Sequence, residues 1–249
     1  MDDAEGLAAW AALLADRSRA AMCLALLDNR AWTVGELARH AGVAMPTASE
    51  HADRLVNGGL AAEHRQGRHR YLSLAGPEVA ALLESVSSQV APGHAPLRSM
   101  AAAHRMRNLA AARTCYDHLA GTLGVAVADA LAATGAIDRR SGLTLTGEGR
   151  ALLGNVGIEL ATTTRRPLLR DCLDWTERRP HLGGVLGAAI CRHAFDAGWI
   201  GRIGTGRAVR VTPAGADAFA DQLGVVVPST PDTPGAIYAA RGAPRVINA

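Results

Sequence analysis

The sequence predicts a mainly α-helical chain with small β-hairpins: a helix-rich unit over residues 1–92, a second, mostly helical unit over 93–226, and an extended tail over 227–249. Three observations predict it. Ala and Leu recur at helix-face spacing, two short helix signals flank a turn and lead into an arginine-rich hairpin, and the stretch after residue 113 repeats its own pattern after 170. With 249 residues and 49% hydrophobic content the chain can fill one or two cores, which excludes collagen-like, disordered and disulfide-scaffold classes.

Each element has its own signal. Leu13, Ala20, Leu24 and Leu27 mark a first helix, with Asp16, Arg17 and Arg19 between them. Thr33 with Glu36 three residues on is a capping box, opening a helix over 34–40 that Gly42 stops. Pro46 suits a first helical turn, where a missing N–H costs nothing, and the helix over 47–57 is closed by Gly58 and Gly59. From Leu60 the pattern becomes a strand, a turn at Gly67 and a second strand in RHRYLSL. Pro77 opens another helix with Val79, Leu82, Leu83 and Val86 on one face, and VAPGHAP then breaks the pattern, placing a boundary near residue 93. Helix, helix, turn, helix, hairpin, helix is the order of a winged helix-turn-helix, whose second paired helix enters a DNA major groove while the hairpin lies along the backbone.

Charge narrows the partners. All 26 basic residues are arginine, and the net charge is only +3, so any nucleic-acid surface must be local. Residues 1–92 hold 8 Arg against 11 acidic residues, a net of −3, whereas 93–249 hold 18 against 12, a net of +6. Cys23, Cys115, Cys172 and Cys191 stand apart without C-x-x-C spacing, so a reducing cytoplasm is expected, with no disulfide framework. Asp2, Asp3 and Glu5 precede the first apolar run, unlike a secretory signal, and apolar stretches are too short to span a bilayer, so no membrane partner is expected.

The segment TVGELARHAGVAMPTASEHADRLVNGGLAAEHRQGRHRYLSL resembles the ArsR-type winged-helix repressors over about residues 10–90. Thr47, Ser49, His51 and Leu55 match that family's reading segment S-x-x-T-x-S-x-H-L-x-x-L, and Gly67, Arg68 and Tyr71 match its wing R-x-G-R-x-x-Y-x-L. Ala44 and Met45 depart from it, which weakens the helix cap and alters base contacts. The resemblance implies a homodimeric transcriptional regulator on a pseudo-palindromic operator. Met45, Pro46, Thr47, Ser49, Glu50, His51, Arg54, Arg65, Arg68, His69 and Arg70 are the expected DNA contacts, with Thr47 and Ser49 at base edges and arginines on phosphates. Leu7, Trp10, Leu13, Leu14 and the apolar face of the helix over 77–90 are the expected dimer surface. Family members often sense metals through cysteines in the first reading-pair helix, or through His and carboxylates on the last helix. Neither set is present, so no metal of that kind and no cofactor is expected.

The second unit reads as a duplication. RTCYDHLAGTLGVAVADALAATGAI from Arg113 aligns with RDCLDWTERRPHLGGVLGAAICRHAFDAGWI from Arg170 once six residues are inserted in the second copy. LTLTGEGRALL at 143 then matches VRVTPAGADAF at 209, and YLSLAGPEVAALL from Tyr71 gives a third echo. In this alignment Cys115, Asp117 and His118 fall on Cys172, Asp174 and His181. Three readings of the region stay open: a small-molecule pocket near Cys115, His118, Cys172, Trp175, His181 and Trp199, a thiol redox switch, or a soft-metal or arsenical site on the same thiols. The small, partly aromatic organic effector is the first choice; buried cysteines without function are the plain alternative.

No G-x-S-x-G, Walker or H-E-x-x-H motif occurs, and GRIGTGR lacks a strand-to-helix context, so no enzyme is expected. The function expected is repression released by an effector, against a winged-helix interaction module that has lost DNA binding.

Overall fold

The computed structural model describes residues 3–67, 69–90, 100–140, 142–161, 166–204 and 206–227. The expected boundary near 93, the wing residue Arg68 and the tail beyond 227 lie outside them.

The first unit runs α1 (Asp3–Leu14), α2 (Arg17–Leu26), β1 (Trp32–Thr33), α3 (Val34–Ala41), α4 (Met45–Asn57), β2 (Ala61–Gln66), β3 (His69–Leu74) and α5 (Pro77–Gln89). The single first helix expected from periodicity is instead two. Asp16 breaks it by adopting an extended backbone and accepting the Ser18 and Arg19 amides at 2.9 Å, an N-cap for α2. Arg19 then folds back to donate to the Leu13 and Ala12 carbonyls, satisfying the end of α1. Leu24, expected on the core face, is exposed, because the rotation of α2 is set by Met22, Cys23, Ala25 and Leu26.

The capping box is present: Thr33 Oγ1 accepts the Glu36 amide at 3.2 Å, and Glu36 accepts the Thr33 amide at 2.8 Å. Gly42 ends α3 at φ 68°, in the left-handed region. β2 and β3 pair antiparallel from Ala61 opposite Leu74 to Gln66 opposite His69, and β1, not foreseen in the sequence, adds a short edge through Trp32 opposite Leu72. In α5 the inward residues are Ala80, Leu83, Glu84 and Ser88, while Leu82 and Val86 point out. Leu82 and Val86 of α5 are thus left exposed among the described residues.

After α6 (Met100–Ala111) the second unit shows one pattern twice. The first repeat is β4 (Arg113–Cys115), β5 (His118–Ala120), α7 (Gly121–Ala133), β6 (Ile137–Asp138), β7 (Thr144–Leu145) and α8 (Gly147–Val156). The second is β8 (Arg170–Leu173), β9 (Pro180–Gly183), α9 (Gly184–Asp196), β10 (Ile200–Arg202), β11 (Val209–Val211) and α10 (Pro213–Leu223). Helix, hairpin, helix in each repeat matches α4, β2, β3, α5, so the third echo is structural too. Thr146 and Thr212 cap α8 and α10 in the same way, each accepting an amide three residues on at 2.9 Å.

The repeats interlock. α7 packs on β9 of the second repeat and α9 packs on β5 of the first. Gly124 and Gly187 allow this approach. A Cβ on Gly124 would fall on the Leu119 carbonyl and sit 3.5 Å from His181 Cβ, and one on Gly187 would fall on the Leu182 carbonyl, 3.1 Å from His118 Cβ. The joint core includes Leu119, Leu123, Leu131, Leu182, Leu186, Ile190 and Phe219. The two units also touch directly: the Tyr116 amide donates to the Leu27 carbonyl at 2.9 Å, and Arg207 pairs with the buried Glu84 of α5 at 2.6 Å.

Candidate functional site

The first surface is the outer face of α4 and the wing. Met45, Pro46, Thr47 and Glu50 are exposed near the start of α4, and Ala44 at its N-cap makes no side-chain bond. The start of the helix therefore keeps free amides. Arg54 is exposed and pairs with Glu50 at 2.6 Å, one turn apart. On the wing Arg65 is exposed beside Glu63, and His69 is exposed beside Tyr71.

Two expected contacts face elsewhere. Arg70 bridges Glu63 of β2 at 2.7 Å and Asp53 of α4 at 2.8 Å, fixing the wing against the reading helix. His51 turns back toward the N-cap of α2, its side chain 12% exposed and its Nε2 3.7 Å from Asp16. Ser49 is half-buried.

The second site is the seam between the repeats. Across β4 and β5 Cys115 stands opposite His118, and across β8 and β9 Cys172 stands opposite His181. Cross-strand partners project to one face of a hairpin, so each repeat offers one thiol and one imidazole together. The interlocking of the helices turns those faces toward one another. The sulfurs are 3.8 Å apart, the imidazole centroids are 5.1 Å apart, and one ligand atom from each of the four residues lies within 4.8 Å of all the others.

A carboxylate stands on the Nδ1 side of each ring. His118 Nδ1 is 3.3 Å from Asp117, and His181 Nδ1 is 3.2 Å from Asp174. Both Nε2 atoms, and His181 Nδ1 as well, are buried with no hydrogen-bond partner. Asp117 is held in turn by Arg166, and Asp174 by Arg113 at 2.9 Å, the Gly121 amide at 2.7 Å and the Thr176 amide at 2.9 Å. Arg113 and Asp174 are both fully buried, and the Arg113 guanidinium also lies 4.7 Å over the Trp175 ring.

The titration of the seam follows from these contacts. Burial pushes the Cys115 thiol well up, and its hydrogen bond with Cys172 adds to this. Cys172 is held low by that same bond, which outweighs burial, with His118 and His181 assisting. Burial works against a charged His181, yet Asp174 and Cys172 raise it to about 9. Cys23 and Cys191, outside the seam, are pushed up to about 12 by burial.

A cleft of about 260 Å³ reaches the seam from outside. Pro77, Glu78, Ala80 and Ala81 of α5 form one wall, and Cys115, Tyr116, Asp117, His118, Arg166, Arg170 and Gly184 the other. Of the residues expected to hold an effector, Cys115, His118, Cys172 and His181 converge and Trp175 lies beside them through Arg113. Trp199 is instead a core residue, edge-on to His193 and Phe219 at 4.9 and 5.1 Å. The place of Asp117 and Asp174 beside the rings was not read from the sequence, although the twice-used R-x-C-x-D spacing carries the signal for it.

Comparison with known proteins adds three findings. A helix-turn-helix domain model matches residues 14–64. An uncharacterized HTH-type transcriptional regulator of Bacillus subtilis strain 168, YdfF, is 37% identical over 224 residues, spanning 89% of this chain and 98% of that protein. Among solved structures, NolR from Sinorhizobium fredii is 25% identical over 34% of this chain and 84% of its own, with a TM-score of 0.32. The homodimeric winged helix-turn-helix DNA-binding domain of Mb0332 from Mycobacterium bovis is 28% identical over 34% and 83%, with a TM-score of 0.31. With a match that runs through both units of the fold, the chain belongs to the helix-turn-helix transcriptional regulators.

Proposed function

We propose that this regulator is a repressor that binds a pseudo-palindromic operator as a homodimer and leaves it when a small molecule enters the cleft between α5 and the first hairpin. The observation that carries the reading is the position of α5. This helix follows the wing directly, forms one wall of the cleft, and is tied to the second repeat through Glu84 and Arg207. A ligand wedged against Pro77 and Ala81 bears on the same element that sets the wing. Release requires that the ligand favour the arrangement unable to bind DNA, since equal affinity for both arrangements shifts nothing.

The dimer surface in this reading is Leu82 and Val86 on the outward side of α5, Val90 at its C-cap and Leu7 of α1, all exposed large apolar residues. Trp10, Leu13 and Leu14, first expected there, pack against the core of their own unit. A two-fold pair of α4 helices then meets successive major grooves, about 34 Å apart. At each half-site Met45, Pro46, Thr47 and Glu50 face base edges, while Arg54, Arg65 and His69 face the backbone. Ser49 and His51 act through packing and Arg70 through its clamp on the wing. The cleft is small for an organic ligand, and Tyr116, Arg166 and Arg170 at its mouth suit a compact molecule with an aromatic or anionic group.

Footprinting on the chain's own upstream DNA, paired with light scattering, tests this reading. Two protected half-sites one helical turn apart and a dimer at micromolar concentration are expected. A monomer with one protected half-site, or a Leu82→Asp/Val86→Asp variant that keeps the full footprint, contradicts it.

A further inference from the structure

We propose that Cys115, His118, Cys172 and His181 form a closed tetrahedral site for one zinc-type divalent ion, each repeat supplying one thiolate and one imidazole Nε2. The inference stands apart from the repression reading, because occupancy of the seam is measured as bound metal whatever the chain does at an operator.

Four features of the seam argue for it. The donor set is that of structural zinc, with two soft sulfurs and two imidazoles and no fifth position left open. The spacing fits: Zn–S bonds of about 2.3 Å at the tetrahedral angle put two sulfurs about 3.8 Å apart, and Cys115 and Cys172 are 3.8 Å apart. The widest separation in the whole set, at most 4.8 Å, exceeds the sulfur–sulfur distance of a tetrahedral site by about 1 Å, which side-chain rotation closes.

The rings are also aimed. In both repeats a carboxylate stands on the Nδ1 side, hydrogen-bonded to it in His118 and 3.2 Å from it in His181, and both Nε2 atoms are buried and unpartnered, as is His181 Nδ1. A buried imidazole nitrogen without a partner is costly in an apolar seam, and a metal bond satisfies both at once.

Charge balances as well. A divalent cation, two thiolates and two neutral imidazoles sum to zero, and the two protons released on binding, one from Cys115 and one from the Cys172–His181 pair, pass to solvent. The two carboxylates add nothing to this sum, because Asp117 is paired with Arg166 and Asp174 with Arg113. The competing use of the thiols, a Cys115–Cys172 disulfide, leaves both Nε2 atoms unsatisfied and gives the paired carboxylates no work. The cleft against α5, lined by Cys115 and His118, supplies a path for the ion.

The test uses the full chain, purified under reductant, stripped by chelator and titrated with cobalt(II) and then with zinc(II). One ion per chain is expected, with the visible ligand-field bands of tetrahedral cobalt and a thiolate charge-transfer band, both removed stoichiometrically by zinc. Cys115→Ser and Cys172→Ser should each lose the charge-transfer intensity of one sulfur and bind at least tenfold more weakly. Cys23→Ser and Cys191→Ser, which leave the seam intact, should bind as the parent does. Should the seam serine variants fail to fold by circular dichroism, Asp117→Asn, at a half-buried position, is expected to weaken cobalt binding about 10- to 100-fold with the bands retained. A reduced parent that takes up no cobalt, a bound cobalt without thiolate charge transfer, or affinity unchanged in folded Cys172→Ser or Asp117→Asn overturns the proposal.

Discussion

The two repeats of the second unit carry the same elements in the same order, yet equivalent residues live in different surroundings. Arg113 is fully buried against Asp174, whereas its counterpart Arg170 stays half-exposed at the cleft. Asp117 sits in a two-residue turn and is held by Arg166 from the partly exposed side, whereas Asp174 begins a longer turn and takes up the Gly121 amide at the start of α7. What stays alike is the Cys and His pair facing the seam, the carboxylate behind each His, the glycine that lets each helix approach, and the threonine that caps each last helix. The difference teaches where the fold is asymmetric in energy: the six-residue insertion lets Asp174 of one repeat cap the helix of the other, a bond for which Asp117 has no counterpart among the described residues.

That asymmetry can be broken directly. Arg113→Ala strands the Asp174 carboxylate in a dry site and should cost about 3–5 kcal/mol, while Arg170→Ala should stay within about 0.5 kcal/mol; urea unfolding of both measures the gap. Equal losses would mean that the buried pair is no more than a surface one. Next in size, Gly124→Ala and Gly187→Ala push a methyl into the Leu119 or Leu182 carbonyl of the strand that leads into the same helix, and should each cost about 1–3 kcal/mol. Unaffected melting temperatures in both would contradict this close packing of each helix on its own hairpin. The smallest effect sharpens the likeness instead: Thr146→Ala and Thr212→Ala remove equivalent caps and should each cost about 1 kcal/mol. A clear difference between them would show that the repeats are not energetically parallel at their ends.

Local signals made the first unit legible. Thr33 with Glu36, Gly42, Pro46 and the turn at Gly67 each act within four residues, and all sit where the spacing places them. The break at Asp16 escaped because its cap lies inside a continuous apolar rhythm, and β1 escaped because two residues carry no period. His51 matches the reading segment and Arg70 is an expected phosphate contact of the wing, but their carboxylate partners, Asp16, Asp53 and Glu63, lie in positions that neither expectation includes. In the second unit the glycine and leucine spacing revealed the repeat. The meeting of Cys115 with Cys172 depends on each helix lying over the other repeat's hairpin, an exchange that leaves no periodic trace. Trp199 misled for the opposite reason, since an indole beside Gly198 reads equally as a pocket wall or as the core residue it is.

The central claim is that the exposed start of α4 and the wing bind duplex DNA. Fluorescence anisotropy of the full chain with a labelled duplex from its own upstream region, titrated at several salt concentrations, tests it most directly. The account predicts tighter binding to that duplex than to a scrambled one, an affinity that falls steeply with salt, and a log–log slope reduced by about one for Arg65→Ala. Thr47→Ala should change which sequence is preferred while leaving the slope alone. Absence of salt-sensitive affinity for any duplex, its own upstream region included, would contradict the claim and leave a winged-helix protein that works through protein contacts.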